Sequence, residues 1–368
     1  MKLYIIWALL CVLAQVILTA FQLILKNKFK KPAVRFIIIF IKIIIAFAFA
    51  VLVMAGSVIL RPVQPVMFAL YAVLFADAVS DLCYSVFYLI AKKERRFAVS
   101  KTLSIVFGIL FIVYGTLNMQ IIKPKYHTYS SAKLESDHTF IYLADLHIGG
   151  AQNFSTAEKM IAEIKSSDAE FLVLCGDITD DYTTKEEMEK TFALFRNFDF
   201  PVYYVYGNHD RQGYAEYAHG RQYTVNELEE ALTSNGITIL KDSFSQIAPD
   251  IILLGREDFS EKEGRADISE LINPNPEAFL IVADHQPSGY KDNISFGADL
   301  QISGHTHAGQ LFPLGFFYSV AAPVYGDYEE QGSVLNVSAG ACGWRMPFRT
   351  DAHCNYEVIT IKPETTVS

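Results

Sequence analysis

The chain changes character once, and that change limits what it can fold into. Residues 1–122 are almost continuously apolar with basic punctuation, whereas residues 123–368 mix short apolar runs with polar and turn-forming stretches. A bilayer-spanning helix needs about 20 predominantly apolar residues. Four stretches meet this: residues 3–25, 36–60 with Lys42 near its start, 63–91 with Asp77 and Asp81 inside it, and 102–122. The first is too long for a cleaved leader and is followed by more apolar sequence, so four spans are expected. Asp77 and Asp81 are four apart and share a helix face. They are expected to face the interior of the bundle, bonded to Lys42 or to backbone; the other possibility is an ion path or sensor.

Charge divides at the same place. Residues 1–122 carry 13 Lys plus Arg against 3 Asp plus Glu, and the remainder carries 18 against 37, giving +10 and −19 within the overall −9. A domain this acidic repels polyanions, so nucleic acid is not an expected partner. Lys26, Lys28, Lys30, Lys31 and Arg35 crowd the first connection, and Lys92, Lys93, Arg95, Arg96 and Lys101 crowd the third. Placing both in the cytoplasm puts the globular domain outside it. Residues 123–137, polar and rich in Lys, Ser and Tyr, are expected to form a tether, with the globular domain over 138–368.

From about Thr139 strands and helices alternate. Apolar runs at Phe140–Ala144, Phe171–Cys175, Val202–Tyr206, Phe279–Ala283 and Leu300–Ser303 read as buried strands. Ser155–Glu158 and Thr224–Glu227 have capping-box spacing, Gly236 is a helix stop, and a further helix is expected over 184–198. This order implies parallel pairing with helices outside. No Cys-x-x-Cys occurs; Cys175 reads as a small buried hydrophobe, and one bridge, Cys342 to Cys354, is conceivable.

A polar motif follows each of these five strands: Asp145-Leu146-His147, Gly176-Asp177, Gly207-Asn208-His209-Asp210, His285, and Gly304-His305-Thr306-His307. Five of the nine histidines fall inside them. Ligands gather beyond the carboxyl ends of strands in such sheets, so the motifs can converge. Alternate residues on an extended segment point the same way, which would aim Asp145 with His147, and His305 with His307, at one cluster. Mixed carboxylate, amide and imidazole donors suit Mn²⁺, Fe²⁺ or Zn²⁺, and one carboxylate such as Asp177 can bridge two cations.

The motif order resembles the calcineurin-like metallophosphoesterase superfamily, over about residues 139–343 with every motif position filled. With the preceding spans, the whole resembles transmembrane proteins that carry a metallophosphoesterase domain. The resemblance implies an N-terminal four-helix transmembrane region plus an α/β domain of two central mixed β-sheets flanked by helices. It also implies that Asp145, His147 and His307 bind one divalent cation, that Asn208, His285 and His305 bind a second, and that Asp177 bridges them. His209 would contact the phosphate and protonate the leaving oxygen, Asp210 would orient His209, and a metal-bridging hydroxide would attack. Arg345 and Arg349 could clamp the phosphate, as could Arg211, and the aromatic stretch 214–223 could cover the site or pack on it. Anchoring at a bilayer favours a phosphorylated lipid, a lipid-linked pyrophosphate or another small phosphate ester. A UDP-2,3-diacylglucosamine pyrophosphatase of lipid A synthesis is the alternative, but its substrate is cytoplasmic and the charge bias points outward.

Overall fold

The computed structural model describes residues 32–55, 64–91, 97–152, 154–215 and 220–364, together with Ile17. They fall into two units, residues 1–117 and 118–368. The expected span at 3–25 and both Lys/Arg-rich connections lie largely or wholly outside the described residues.

In the first unit, helices α1 (Pro32–Ala55) and α2 (Gln64–Ala91) pack together, and α2 packs on α3, which spans Phe97–Met119. Tyr71 and Phe111 meet edge to face at 5.9 Å across the α2–α3 contact. Apolar side chains also point outward, among them Phe40, Leu89, Ile90 and Leu110. Helices apolar on every face are those expected in lipid or a large core. Among the described residues two stretches are long and apolar enough to cross a bilayer, Leu70–Ala91 and Thr102–Met119, while the apolar stretch of α1, Phe36–Val51, is shorter. Among the described residues, two of the four expected spans are therefore present, while the expected span 3–25, apart from Ile17, and the end of 36–60 lie outside them. Lys42 Nζ lies 2.6 Å from both Asp77 Oδ2 and Asp81 Oδ2, and Ser104 Oγ donates to Asp77 Oδ1 at 2.9 Å. The two carboxylates thus face the interior with a cationic partner, which is how charge survives away from water.

The second unit holds two six-stranded mixed sheets. The first runs β1 (Ile122–Ser131), β12 (Cys354–Pro363), β2 (His138–Leu143), β3 (Leu172–Cys175), β4 (Val202–Val205) and β5 (Ile237–Ile239). The second runs β10 (Gly326–Glu330), β11 (Ser333–Val337), β9 (Leu300–Ser303), β8 (Phe279–Ala283), β7 (Ile251–Gly255) and β6 (Ser243–Ala248). In each, the central pairs are parallel, and antiparallel pairs occur at β12–β2, β6–β7 and β10–β11.

Alternation along each strand divides its side chains between two buried layers. Phe140, Tyr142, Phe171, Val173 and Val205 face the second sheet and meet Leu253, Ile281, Leu300 and Ile302 there. Ile141, Leu143, Leu172, Leu174 and Tyr204 face a helical layer made by α4 (Phe154–Lys165), α5 (Lys185–Ala193) and α6 (Val225–Ser234). Strands covered on both faces read as continuous apolar runs, and these do. Truncating a core ring such as Phe171, stacked on Phe140 at 4.7 Å, would cost about 3–5 kcal/mol.

The capping boxes at Thr184–Glu187 and Thr224–Glu227 are formed. The Ser155 signal is displaced, since α4 already begins at Phe154, and α5 ends at Ala193 rather than near residue 198. Residues 123–137 are not a tether. Ile122–Ser131 pairs with Cys354–Pro363 in parallel along ten residues, because alternating exposed and half-buried positions suit an edge strand despite the polar composition. Cys175, Cys342 and Cys354 are free and buried, so the conceivable bridge is not made.

Candidate metal centre

All five motifs leave their strands at one end of the two facing sheets. β2 ends two residues before Asp145, β3 two before Asp177, β4 two before Gly207, β8 two before His285 and β9 two before His305. The directing device is not strand alternation. Asp145, His147, Asp177, His305 and His307 all have positive φ, between 44° and 73°, so each side chain turns inward from a left-handed residue. For residues other than glycine that conformation costs about 1–2 kcal/mol each, strain of the kind that gathers at functional sites. The glycines allow close approach instead. A Cβ on Gly207 would run into Asp177, and one on Gly304 into Ala144 and Asp145.

The side chains meet in two groups. The ligand atoms of Asp145, His147 and His307 lie within 4.8 Å of one another, as do those of Asp177, His285 and His305. Asp177 joins them: its Oδ2 is 3.6 Å from His147 Nε2 and 3.1 Å from His285 Nε2. Asp145 Oδ1 is 3.8 Å from His147 Nε2 and 3.6 Å from His307 Nε2. Each of three imidazoles has its Nδ1 occupied by the surrounding fold: His147 by Asp180 at 2.8 Å, His285 by the Cys175 carbonyl at 2.9 Å and His307 by the Cys342 carbonyl at 3.0 Å. This leaves the Nε2 atoms turned toward the centre. His147 Nε2, His285 Nε2 and Asn208 Oδ1 are buried with no hydrogen-bond partner. Orphaned polar atoms cost about 1–3 kcal/mol each, and a cation is the partner this donor set fits.

Electrostatics favour positive charge here. Burial alone would raise the Asp177 carboxyl, but the imidazoles of His285 and His209 outweigh it and hold Asp177 well below the usual carboxylate range. An ionised carboxylate and neutral imidazoles are what a cation requires of its ligands. Burial and the His285 imidazole hold His305 down, to about 4, whereas at His285 and His147 burial is outweighed by Asp177 and Asp180, respectively, which raise them.

His209 stands beside this group, its ring centroid 5.4 Å from that of His147. Its Nδ1 lies 2.5 Å from Asp181 Oδ2. Burial opposes its protonation, but Asp177 and Asp181 prevail and raise it to about 9. Asp210, expected to orient His209, does something else. Its carboxylate accepts the backbone N–H groups of Asp177 (2.8 Å), Thr179 (3.0 Å) and Gly207 (2.7 Å), tying the loops after β3 and β4 together. Asp210 follows His209 directly, yet its side chain points the other way. Asp181 and Asp180 were missed as supports of His209 and His147, although two carboxylates shortly after Gly176-Asp177 were a usable signal.

The arginines are also corrected in part. Arg349 is fully buried, and its guanidinium donates to the carbonyls of His307 (2.5 Å), Ala339, Gly340 and Cys342. It stitches the His307 turn to the loop beside Asp145 and, fully buried, does not open onto the site as a phosphate clamp would. Arg211 forms a two-pronged pair with Glu257, 2.8 Å on each arm, and stacks over Tyr206. Arg345 is half-buried with its guanidinium 4.1 Å from the Trp344 ring centroid. Trp344 and Tyr214 in turn flank His209, at 5.9 and 5.4 Å between ring centroids.

Comparison with known proteins agrees with this geometry. Residues 138–309 match the profile of the calcineurin-like phosphoesterase family. A metallophosphoesterase of Bacillus subtilis is 25% identical over 270 residues, covering 67% of this chain and 87% of its own length. A metallophosphoesterase of Campylobacter jejuni is 24% identical over 310 residues, covering 79% of each. A transmembrane protein with metallophosphoesterase domain from Danio rerio is 25% identical over 241 residues, covering 60% of this chain and 52% of its own length. Residues 138–309, which hold all five motifs, are therefore a calcineurin-like phosphoesterase domain.

Proposed function

We propose that the chain is a membrane-anchored phosphoester hydrolase with a two-cation centre, acting outside the cytoplasm on a phosphate ester or pyrophosphate of a lipid or lipid-linked molecule. The observation that carries the hydrolase reading is the sharing of Asp177 Oδ2 between His147 Nε2 and His285 Nε2, with both imidazole nitrogens otherwise unpartnered. Asp145, His147 and His307 would hold one divalent cation, and Asn208, His285 and His305 the other, with Asp177 common to both. Mn²⁺, Fe²⁺ and Zn²⁺ suit these donors. When bound, such cations supply Lewis acidity to the phosphate oxygens and lower the pKa of water.

The protein's own groups complete the chemistry. His209, protonated and held by Asp181, is placed to give a proton to the departing oxygen. Trp344 and Tyr214 flank the imidazole. The anchoring part of the proposal is supported by the two apolar helices and by the transmembrane relative.

Two measurements test it. The purified full chain, supplied with Mn²⁺, should hydrolyse a water-soluble aryl phosphate mono- or diester, and His209→Ala should abolish most of that activity; equal rates would refute the assignment. An impermeant thiol reagent should label Lys123→Cys in intact cells, since Lys123 is exposed on β1; protection would place the domain in the cytoplasm.

A further inference from the structure

We infer that the uncharged aromatic segment following His307 is a membrane-seating surface, which lays the mouth of the centre on the bilayer that anchors the chain. The inference rests on the anchored reading above. No charged residue stands between His307 and Asp327, in a chain that is 19% charged. Within that stretch Phe316 is 67% exposed and Val320 80%, and residues 316–322, Phe-Phe-Tyr-Ser-Val-Ala-Ala, are all exposed. An exposed apolar run of this length next to a site marks an interaction surface.

The occupant follows from where the segment is attached. α3 supplies an apolar stretch of 18 residues, Thr102–Met119, about 27 Å long at 1.5 Å per residue and close to the thickness of a bilayer core. Its last two residues, Asn118 and Met119, belong to the second unit. Met119 packs with Cys342 and Cys354, and the Asn118 side chain donates to the Arg349 carbonyl at 3.2 Å and bonds His353. The same loop holds the base of the aromatic segment, through Thr350 N–H to the Gln310 carbonyl (2.9 Å) and Phe312 N–H to Thr350 Oγ1 (3.1 Å). One loop thus holds both Asn118–Met119, where the chain enters the domain, and the root of the exposed aromatics.

Sheet topology gives the same direction independently. β1 is parallel to β12, and β12 is antiparallel to β2, so β1 starts at the sheet end where β2, β3 and β4 finish. The chain therefore enters the domain at the end that carries the five motifs. The rim chemistry fits a lipid headgroup layer. Lys125 Nζ lies 4.0 Å over the Tyr325 ring, and Arg345 lies over Trp344. Tyr and Trp favour the interface, and basic side chains there meet lipid phosphates. Trp344 connects the segment to the chemistry, since its N–H donates to Gln310 Oε1 while its ring reaches His209.

The test uses the full chain in lipid nanodiscs of phosphatidylcholine with about one third phosphatidylglycerol. An environment-sensitive fluorophore is attached at Val320→Cys or Phe316→Cys, in a background with Cys11 and Cys83 replaced by Ser. A control label sits at Asp168→Cys, just before β3 at the opposite end of the sheet. Lipids brominated on their acyl chains should quench the 316 and 320 labels at least about threefold more than the 168 label. Equal and weak quenching at all three sites overturns the inference. So does shielding that appears only when a disc holds two protein copies, which would make the surface a contact between copies. Hydrolysis of a soluble aryl phosphate is measured in the same discs: quenching without hydrolysis keeps the seating surface and removes the hydrolase reading, and hydrolysis without quenching does the reverse.

Discussion

Asp181 Oδ2 lies 2.5 Å from His209 Nδ1, while Asp210, the next residue in the chain, turns its carboxylate onto three backbone N–H groups. Two neighbouring acids therefore have separable roles, one on the imidazole and one on the loops that carry it.

Asp181→Asn should lower kcat about 10–100-fold while leaving metal content and thermal stability near those of the unmodified chain. Asp210→Ala should instead destabilise the domain by about 3 kcal/mol, because the N–H groups of Asp177, Thr179 and Gly207 lose their acceptor. Steady-state kinetics and denaturation on both variants separate the two; the reverse pattern would restore Asp210 as the orienting residue.

Arg349→Met should cost about 3 kcal/mol or more, since four carbonyls around the His307 turn lose a charged donor. Arg349→Lys should not rescue it, because an ammonium cannot reach the same fork of acceptors. A substrate clamp would behave differently, raising KM and leaving the melting midpoint unchanged.

A pH dependence is also expected outside the candidate metal centre. His127 on β1 lies between Asp327 Oδ2 (3.1 Å) and Glu357 Oε2 (2.9 Å), with Tyr129 and Asn336 completing its surroundings. Burial opposes protonation of His127, but the two carboxylates outweigh it and raise its pKa from 6.5 to about 9. A raised folded-state pKa gives stability that is complete below the unfolded value and lost as pH climbs through the folded one. Stability should thus fall between about pH 6.5 and 9, by on the order of 1–3 kcal/mol, and the fall should flatten in His127→Gln. Thermal midpoints across that range check it; parallel curves for the two proteins would contradict it.

What could be read from the residues alone was the part whose chemistry or local geometry is self-contained. Asp145, His147, Asp177 and the Gly304–His307 motif point to a candidate cation site because few other roles need those donors at strand ends, and the fold brings them together. Thr224 with Glu227 announces a helix start because both halves of the cap lie three residues apart. β1 was missed because its polar composition hides an edge strand whose partner, Cys354–Pro363, is more than 200 residues away. Arg349 was misjudged for a related reason: a basic residue in a turn-rich stretch looks exposed until the fold closes over it. The inward aim of the ligands also escaped, since left-handed conformations at Asp145 or His307 are imposed by neighbouring strands and have no local signature.

The central claim is that one carboxylate, Asp177, serves two cations. Metal analysis of the purified full chain, loaded with Mn²⁺, Fe²⁺ or Zn²⁺ and freed of excess, tests it most directly when run beside Asp177→Asn. Two equivalents per chain in the unmodified protein, with both sites weakened in the variant, is the predicted result. A single equivalent in the unmodified protein, or two retained by Asp177→Asn, would contradict it.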